Sequence, residues 1–144
     1  MSSADNFQTL PLETEADFLE MMTACWEAFE TPFEPFLRVV FYLSGPTPED
    51  RRQSIQAAAT MMKALQDMSP NSHWIKVIDT ATGKLVGAAN WVVHKEDPYA
   101  GKEESGPVVA FWWPEGEGRN YASKFLQQVE DAKRRLYNRA HICK

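Results

Sequence analysis

The sequence of 144 residues predicts an α+β fold with a small antiparallel sheet, in the order strand, helix, helix, strand, strand, helix. Two capping patterns, Thr14-Glu-Ala-Asp17 and Thr47-Pro48-Glu49-Asp50, each precede a stretch of helical apolar periodicity. Between the second of these and the last helix, residues 73–93 alternate like two strands around the turn residues Asp79-Thr-Ala-Thr-Gly83.

Phe7 to Leu10, closed by Pro11, reads as a first strand at a sheet edge, because proline cannot donate to a ladder. After the Thr14 cap, Leu19, Met22, Trp26 and Phe29 recur on one helical face, with Phe18 and Cys25 alongside, and the helix ends before Pro32. Residues 30–47 hold three prolines and the apolar group Phe33, Phe36, Leu37, Val39, Val40, Phe41, Tyr42 and Leu43. A connection this apolar must pack on something, either as a cover for the core or as a wall of a pocket.

Thr47 as N-cap, Pro48 at the first helical position and an acid at the third start the second long helix. Its face is Ile55, Ala58, Met62, Leu65 and Met68, and Ser69-Pro70-Asn71 stops it. His73 to Ile78 and Leu85 to Val93 are the two strands of the hairpin, with Gly83 supplying the positive φ of its turn. Residues 94–118 contain three prolines and four glycines and read as a long loop. The last helix is expected from Asn120 to Asn138, with Phe125, Val129, Ala132 and Leu136 on its apolar face.

Composition narrows the classes of function. With 44% hydrophobic and 24% charged residues the chain is ordinary globular material, long enough for one core, and residues 1–144 are read as a single domain. No apolar run approaches bilayer length, and the acidic N-terminus has neither a basic nor an apolar leader segment, so membrane association is not expected and a cytoplasmic location is. Cys25 and Cys143 lie too far apart in sequence to suggest a disulfide scaffold. Residues 1–72 carry 4 basic and 11 acidic groups and residues 73–144 carry 11 and 9, seven of those basic ones between Arg119 and Lys144. That basic segment reads as a solvated helix face, and without an aromatic-interleaved basic patch nucleic-acid binding is not expected.

No metal site is expected from His73, His94 and His141, which show no ligand spacing, nor from either cysteine. Cys25, beside the apolar stripe, reads as a buried thiol. Gly116-Glu-Gly118 has the form of an amide nest, but Glu115 and Glu117 add like charge, so flexibility explains it better.

The run His73-Trp-Ile-Lys-Val-Ile-Asp79-Thr-Ala-Thr-Gly83-Lys-Leu-Val-Gly87-Ala-Ala-Asn-Trp91 closely resembles the W-x-K-V-x-D-x-x-T-G-K-x-V-G-x-A-x-W hairpin of GNAT-superfamily N-acetyltransferases, particularly a fungal branch. Trp113-Pro-Glu-Gly116 ahead of the last helix fits the same pattern, and the resemblance covers nearly the whole chain as the N-terminal half of that fold. It implies transfer of an acetyl group from acetyl-CoA to a small-molecule or peptide amine, by direct attack of the amine on the thioester. It also implies elements that this chain lacks. The family's Arg/Gln-x-x-Gly-x-Gly/Ala turn, which holds the coenzyme pyrophosphate on helix amides, has only the near match Lys84-Leu-Val-Gly87-Ala-Ala89, inside a strand. The family's acid and base fall beyond Lys144, so no catalytic or cofactor-binding residue is assigned, and the chain is expected to lack the C-terminal coenzyme-binding half.

Acceptor-side residues implied by the resemblance and the aromatic connection are Trp26, Phe29, Phe33, Phe36, Trp91 and Trp112. Core packing remains the alternative for the tryptophans. The alternative function is a non-catalytic binding or dimerisation module, pairing as a homodimer through the strand ending at Val93.

Overall fold

The computed structural model describes residues 6–102, 106–137 and 139–143. It is α+β, in the order β1 (Phe7–Pro11), α1 (Glu15–Glu30), α2 (Phe36–Val40), α3 (Pro48–Met68), β2 (Ser72–Asp79), β3 (Leu85–His94), α4 (Glu117–Leu136) and β4 (His141–Cys143). The expected order is present with two short additions, α2 and β4. The chain divides into two compact units, described in turn.

In the first unit (through residue 34, then 43–93) β1, β2 and β3 form an antiparallel meander, with Phe7 opposite Asp79 and Pro11 opposite Ile75, then Ser72 opposite Val92 and Val77 opposite Gly87. Cys143, the last residue of β4, also belongs to this unit, and the sheet order is β1-β2-β3-β4. The hairpin turn is made by its own side chains. Asp79 accepts from the Ala81 amide at 2.9 Å and from the Thr82 hydroxyl at 2.8 Å, while Gly83 takes φ 69° and donates its amide to the Asp79 carbonyl at 2.7 Å. The Asp-x-x-Thr-Gly signature of residues 79–83 is therefore turn chemistry.

α1 and α3 pack against each other over a core of Leu12, Phe18, Met21, Met22, Trp26, Ile55, Ala58 and Ala59, all buried. Phe18 meets Trp74 of β2 edge to face, with centroids 5.9 Å apart. Only the first half of the α3 stripe enters this core; Leu65 and Met68 are exposed.

Asp17 does two jobs. Its carboxylate accepts from the Thr14 amide at 2.9 Å, closing the capping box, and its other oxygen takes the Lys76 ammonium of β2 at 2.6 Å. The Lys76 ammonium first, then the Thr14 and Glu13 amides, hold the Asp17 carboxyl well below the usual carboxylate range, and the same ion pair raises Lys76.

The second unit comprises residues 35–42 and 94–142. α4 begins at Glu117, three residues earlier than expected, with Gly116 as its N-cap at φ 139°. Trp113 organises this unit. Its indole donates to the Val39 carbonyl at 3.3 Å, its ring lies 4.9 Å from that of Tyr42, and its carbonyl accepts from Arg119 Nε at 2.6 Å. Gly118 is required here because a Cβ at that position would sit 2.8 Å from the Trp113 ring. Close packing rather than flexibility thus explains Gly118.

Two polar side chains one turn apart on α4 take up loop amides: Ser123 accepts from Ala110 at 3.0 Å and Gln127 from Val108 at 2.8 Å. The loop is therefore laced onto the polar side of α4. Of the expected apolar face only part is covered: Phe125 and Ala132 are half-buried, with Ala122 beside them buried, whereas Val129 is 38% and Leu136 68% exposed. The helix ends at Leu136, with Lys133, Arg134 and Arg135 in the last turn opposing the carbonyl end of its dipole. Asn138, its expected end, lies outside the described residues.

Replacing Asp17 with Asn should lower the unfolding free energy by about 2 kcal/mol at pH 7, through loss of the ion pair and the box. The depressed Asp17 carboxyl stabilises the fold fully above its ordinary value of 3.8 and loses that contribution as the pH falls below it. Urea titrations at pH 7 and pH 3 should therefore show a smaller acid destabilisation in the variant than in the parent. For Gly118→Ala the expectation is a loss of about 1–3 kcal/mol from overpacking against Trp113, read by urea unfolding followed by tryptophan fluorescence.

Candidate functional site

Within the first unit, the end of α1 and the start of α3 enclose an open cavity of about 230 Å³. Its charged wall is an ion pair. Glu30, the last residue of α1, receives Arg51, one turn into α3, with Nε 2.9 Å from Oε2 and 3.2 Å from Oε1, and Nη2 2.9 Å from Oε2. The side chains of Arg51 and Glu30 keep 32% and 28% of their surface exposed, enough for a ligand to reach either group. Leu43, Pro46 and Pro48 supply the apolar wall, and Thr47 completes it.

The sequence builds this corner from caps. The Thr47 hydroxyl accepts from the Asp50 amide at 3.1 Å and Asp50 returns a bond to the Thr47 amide at 3.0 Å, fixing the first turn that carries Arg51. The Thr47 hydroxyl, which also donates to the Asp50 carboxylate, and then the Thr47 amide hold the Asp50 carboxyl below its ordinary range. The Ser44 amide donates to the buried Ser54 hydroxyl at 3.2 Å, pinning the incoming segment to α3. Gly45 leaves room for the cap: a Cβ there would lie 2.5 Å from Asp50 Oδ2.

None of the six sequence-expected residues lines this cavity. Trp26 is fully buried at 0% exposure among the core residues of α1, so it packs rather than meets a ligand. Phe29 is half-buried near the end of α1, and Phe33 is 62% exposed beyond it. Trp91 stands opposite His73 on the hairpin, 40% exposed. In the second unit, Phe36 meets Phe125 edge to face at 5.9 Å, and Trp112 donates from its indole to the Val40 carbonyl at 2.7 Å. The connection 30–47 does reach a pocket wall, but through Leu43 to Thr47 rather than through its aromatics. Glu30 and Arg51 were not singled out in sequence because their pairing spans 21 positions and neither belongs to a motif.

A second polar group lies at the start of β2. Asn90 Nδ2 donates to the buried Ser72 hydroxyl at 2.8 Å and Gln66 Nε2 to the Ser72 carbonyl at 3.1 Å. Cys25 is a free thiol whose pKa burial pushes up, so at neutral pH it is a poor nucleophile. Among the described residues no group of three or more His, Cys, Asp or Glu is placed to hold a metal ion, and no helix is long and apolar enough to cross a membrane.

The run that nearly matches the coenzyme A pyrophosphate turn lies inside the hairpin. Gly87 of the near match is paired with Val77 in the hairpin ladder, so this run opens no helix. At the Gly116–Gly118 helix start the Trp113 ring lies against Gly118, and Glu117 and Arg119 both stand in the first turn.

No protein-family model, curated protein or solved structure matches the chain.

Gly45→Ala should displace Asp50 from Thr47 and disturb the turn that presents Arg51. The expected readout is a thermal midpoint a few degrees lower, with NMR shift changes concentrated at residues 45–51.

Proposed function

We propose that this chain is the acceptor side of a GNAT-type, acetyl-CoA-dependent N-acetyltransferase acting on a small-molecule or peptide amine, with little or no transferase activity by itself. The observation that carries the reading is the hairpin: Trp74 to Trp91 pairs antiparallel around the Asp79–Gly83 turn, in the element order that the resemblance implies. The cavity in the same unit supports the reading, because its wall includes a carboxylate, Glu30, that a cationic amine can meet. A cytoplasmic setting belongs to this reading, in keeping with the free thiol of Cys25.

A second reading, a non-catalytic module that dimerises, is favoured by one feature. β3 is a ten-residue strand whose side away from β2 is the edge that a partner strand would take. A strand edge of this kind is a template for another strand.

Calorimetry on the whole chain tests the first reading. A primary amine of metabolite size should give saturable heat that Glu30→Gln weakens at least tenfold, and acetyl-CoA should give none. If no amine binds, the acceptor-side reading fails; if acetyl-CoA binds tightly, the coenzyme site lies within these residues after all. Sedimentation addresses the second reading: a concentration-independent monomer would exclude the dimer. The genomic frame downstream of codon 144 separates the two, since a continuing frame with the glycine-rich turn belongs to the transferase.

A further inference from the structure

Deepening the acceptor-side reading and resting on it, we infer that the Glu30–Arg51 cavity selects amines that carry a carboxylate next to the amine, the free α-amino acids. Three observations converge. First, the cavity presents one group of each charge in a fixed fork, its two charged centres joined by N–O distances of 2.9 to 3.2 Å. A ligand with a single charge would set itself against one of these groups while leaving the other no better satisfied. A zwitterion of matching span complements both, its ammonium toward Glu30 and its carboxylate toward Arg51. Second, the Arg51 guanidinium spends Nε–H and one Nη2 hydrogen on Glu30, which leaves the other Nη2 hydrogen and the two on Nη1 to donate to a ligand carboxylate. Third, a volume of about 230 Å³ falls below the roughly 300–1,000 Å³ of pockets that hold drug-sized ligands, and suits one amino acid rather than a peptide.

The remaining wall narrows the class. Leu43, Pro46 and Pro48 are apolar and bring no side-chain hydrogen-bonding group, so the side chain of the amino acid is aliphatic. Pro46 and Pro48 also lack amide hydrogens, so the backbone there competes little for the ligand's carboxylate.

The probe is L-leucine, compared with L-leucine methyl ester, which removes the carboxylate, and with 3-methylbutylamine, which removes it together with its carbon. Titrations of the whole 144-residue chain are followed by amide NMR shifts at residues 43–51. L-leucine should bind at least tenfold more tightly than either analogue. Arg51→Lys, which keeps the positive charge opposite Glu30 but lacks the guanidinium fork, should lose most of that preference with its melting curve preserved. Equal binding of leucine, ester and amine would overturn the amino-acid selectivity and leave the acceptor-side reading standing. Binding of neither leucine nor amine would remove both. Should Arg51→Lys fail to fold, the comparison of leucine with its ester on the unmodified chain decides the proposal by itself. Shifts confined to residues outside 43–51 would place the ligand elsewhere and count against it.

Discussion

The first unit depends on one carboxylate. Asp17 closes the capping box of α1 with one oxygen and binds Lys76 of β2 with the other, so the direction in which α1 leaves its cap and its position over the sheet are fixed by the same group. The side chains of Lys76 and Asp17 keep only 13% and 18% of their surface exposed, which screens the pair less than a surface ion pair. Phe18, the next residue, is carried directly onto Trp74, and the rest of the apolar stripe follows at helical spacing into α3. A cap is usually a local device; here it sets the registry of helix on sheet.

The second unit is organised in the opposite way, from an aromatic hub outward. Trp113 draws together the Val39 carbonyl, the Tyr42 ring, the Arg119 guanidinium and the backbone of Gly118. Ser123 and Gln127 then serve as acceptors for loop amides that have no strand partner. The apolar face of α4 is used only in part: Phe125 packs on Phe36, while Val129 and Leu136 are exposed.

The cavity is a by-product of the same structural economy. α1 ends at Glu30, the Thr47 cap starts α3 immediately before Arg51, and the intervening chain is returned by Ser44 binding Ser54. An ion pair of this kind need add little to stability where it is partly exposed. What it does supply is a fixed presentation of two opposite charges beside apolar walls, and that is chemistry a small ligand can use.

What the sequence alone determined was local. Thr14 and Thr47 announced their helices because a hydroxyl, an amide and an acid three residues on make a closed set of bonds within four residues. Residues 79–83 announced the hairpin for the same reason, and the periodicity of Leu19, Met22, Trp26 and Phe29 marked a helix face of which Met22 and Trp26 are buried. Tertiary structure decided what no short window contains. The aromatics of the 30–47 connection do not line the cavity at the start of α3, whereas Glu30 and Arg51, ordinary charged residues in sequence, are its defining pair. The apolar stripe of α4 was legible, but not that only Phe125 and Ala132 of it would be partly covered, nor that loop amides would reach Ser123 and Gln127. The physical reason is common to all three cases: bonds closed within one turn depend on neighbours in the chain, while the choice of face and the meeting of charges depend on which distant groups remain unsatisfied.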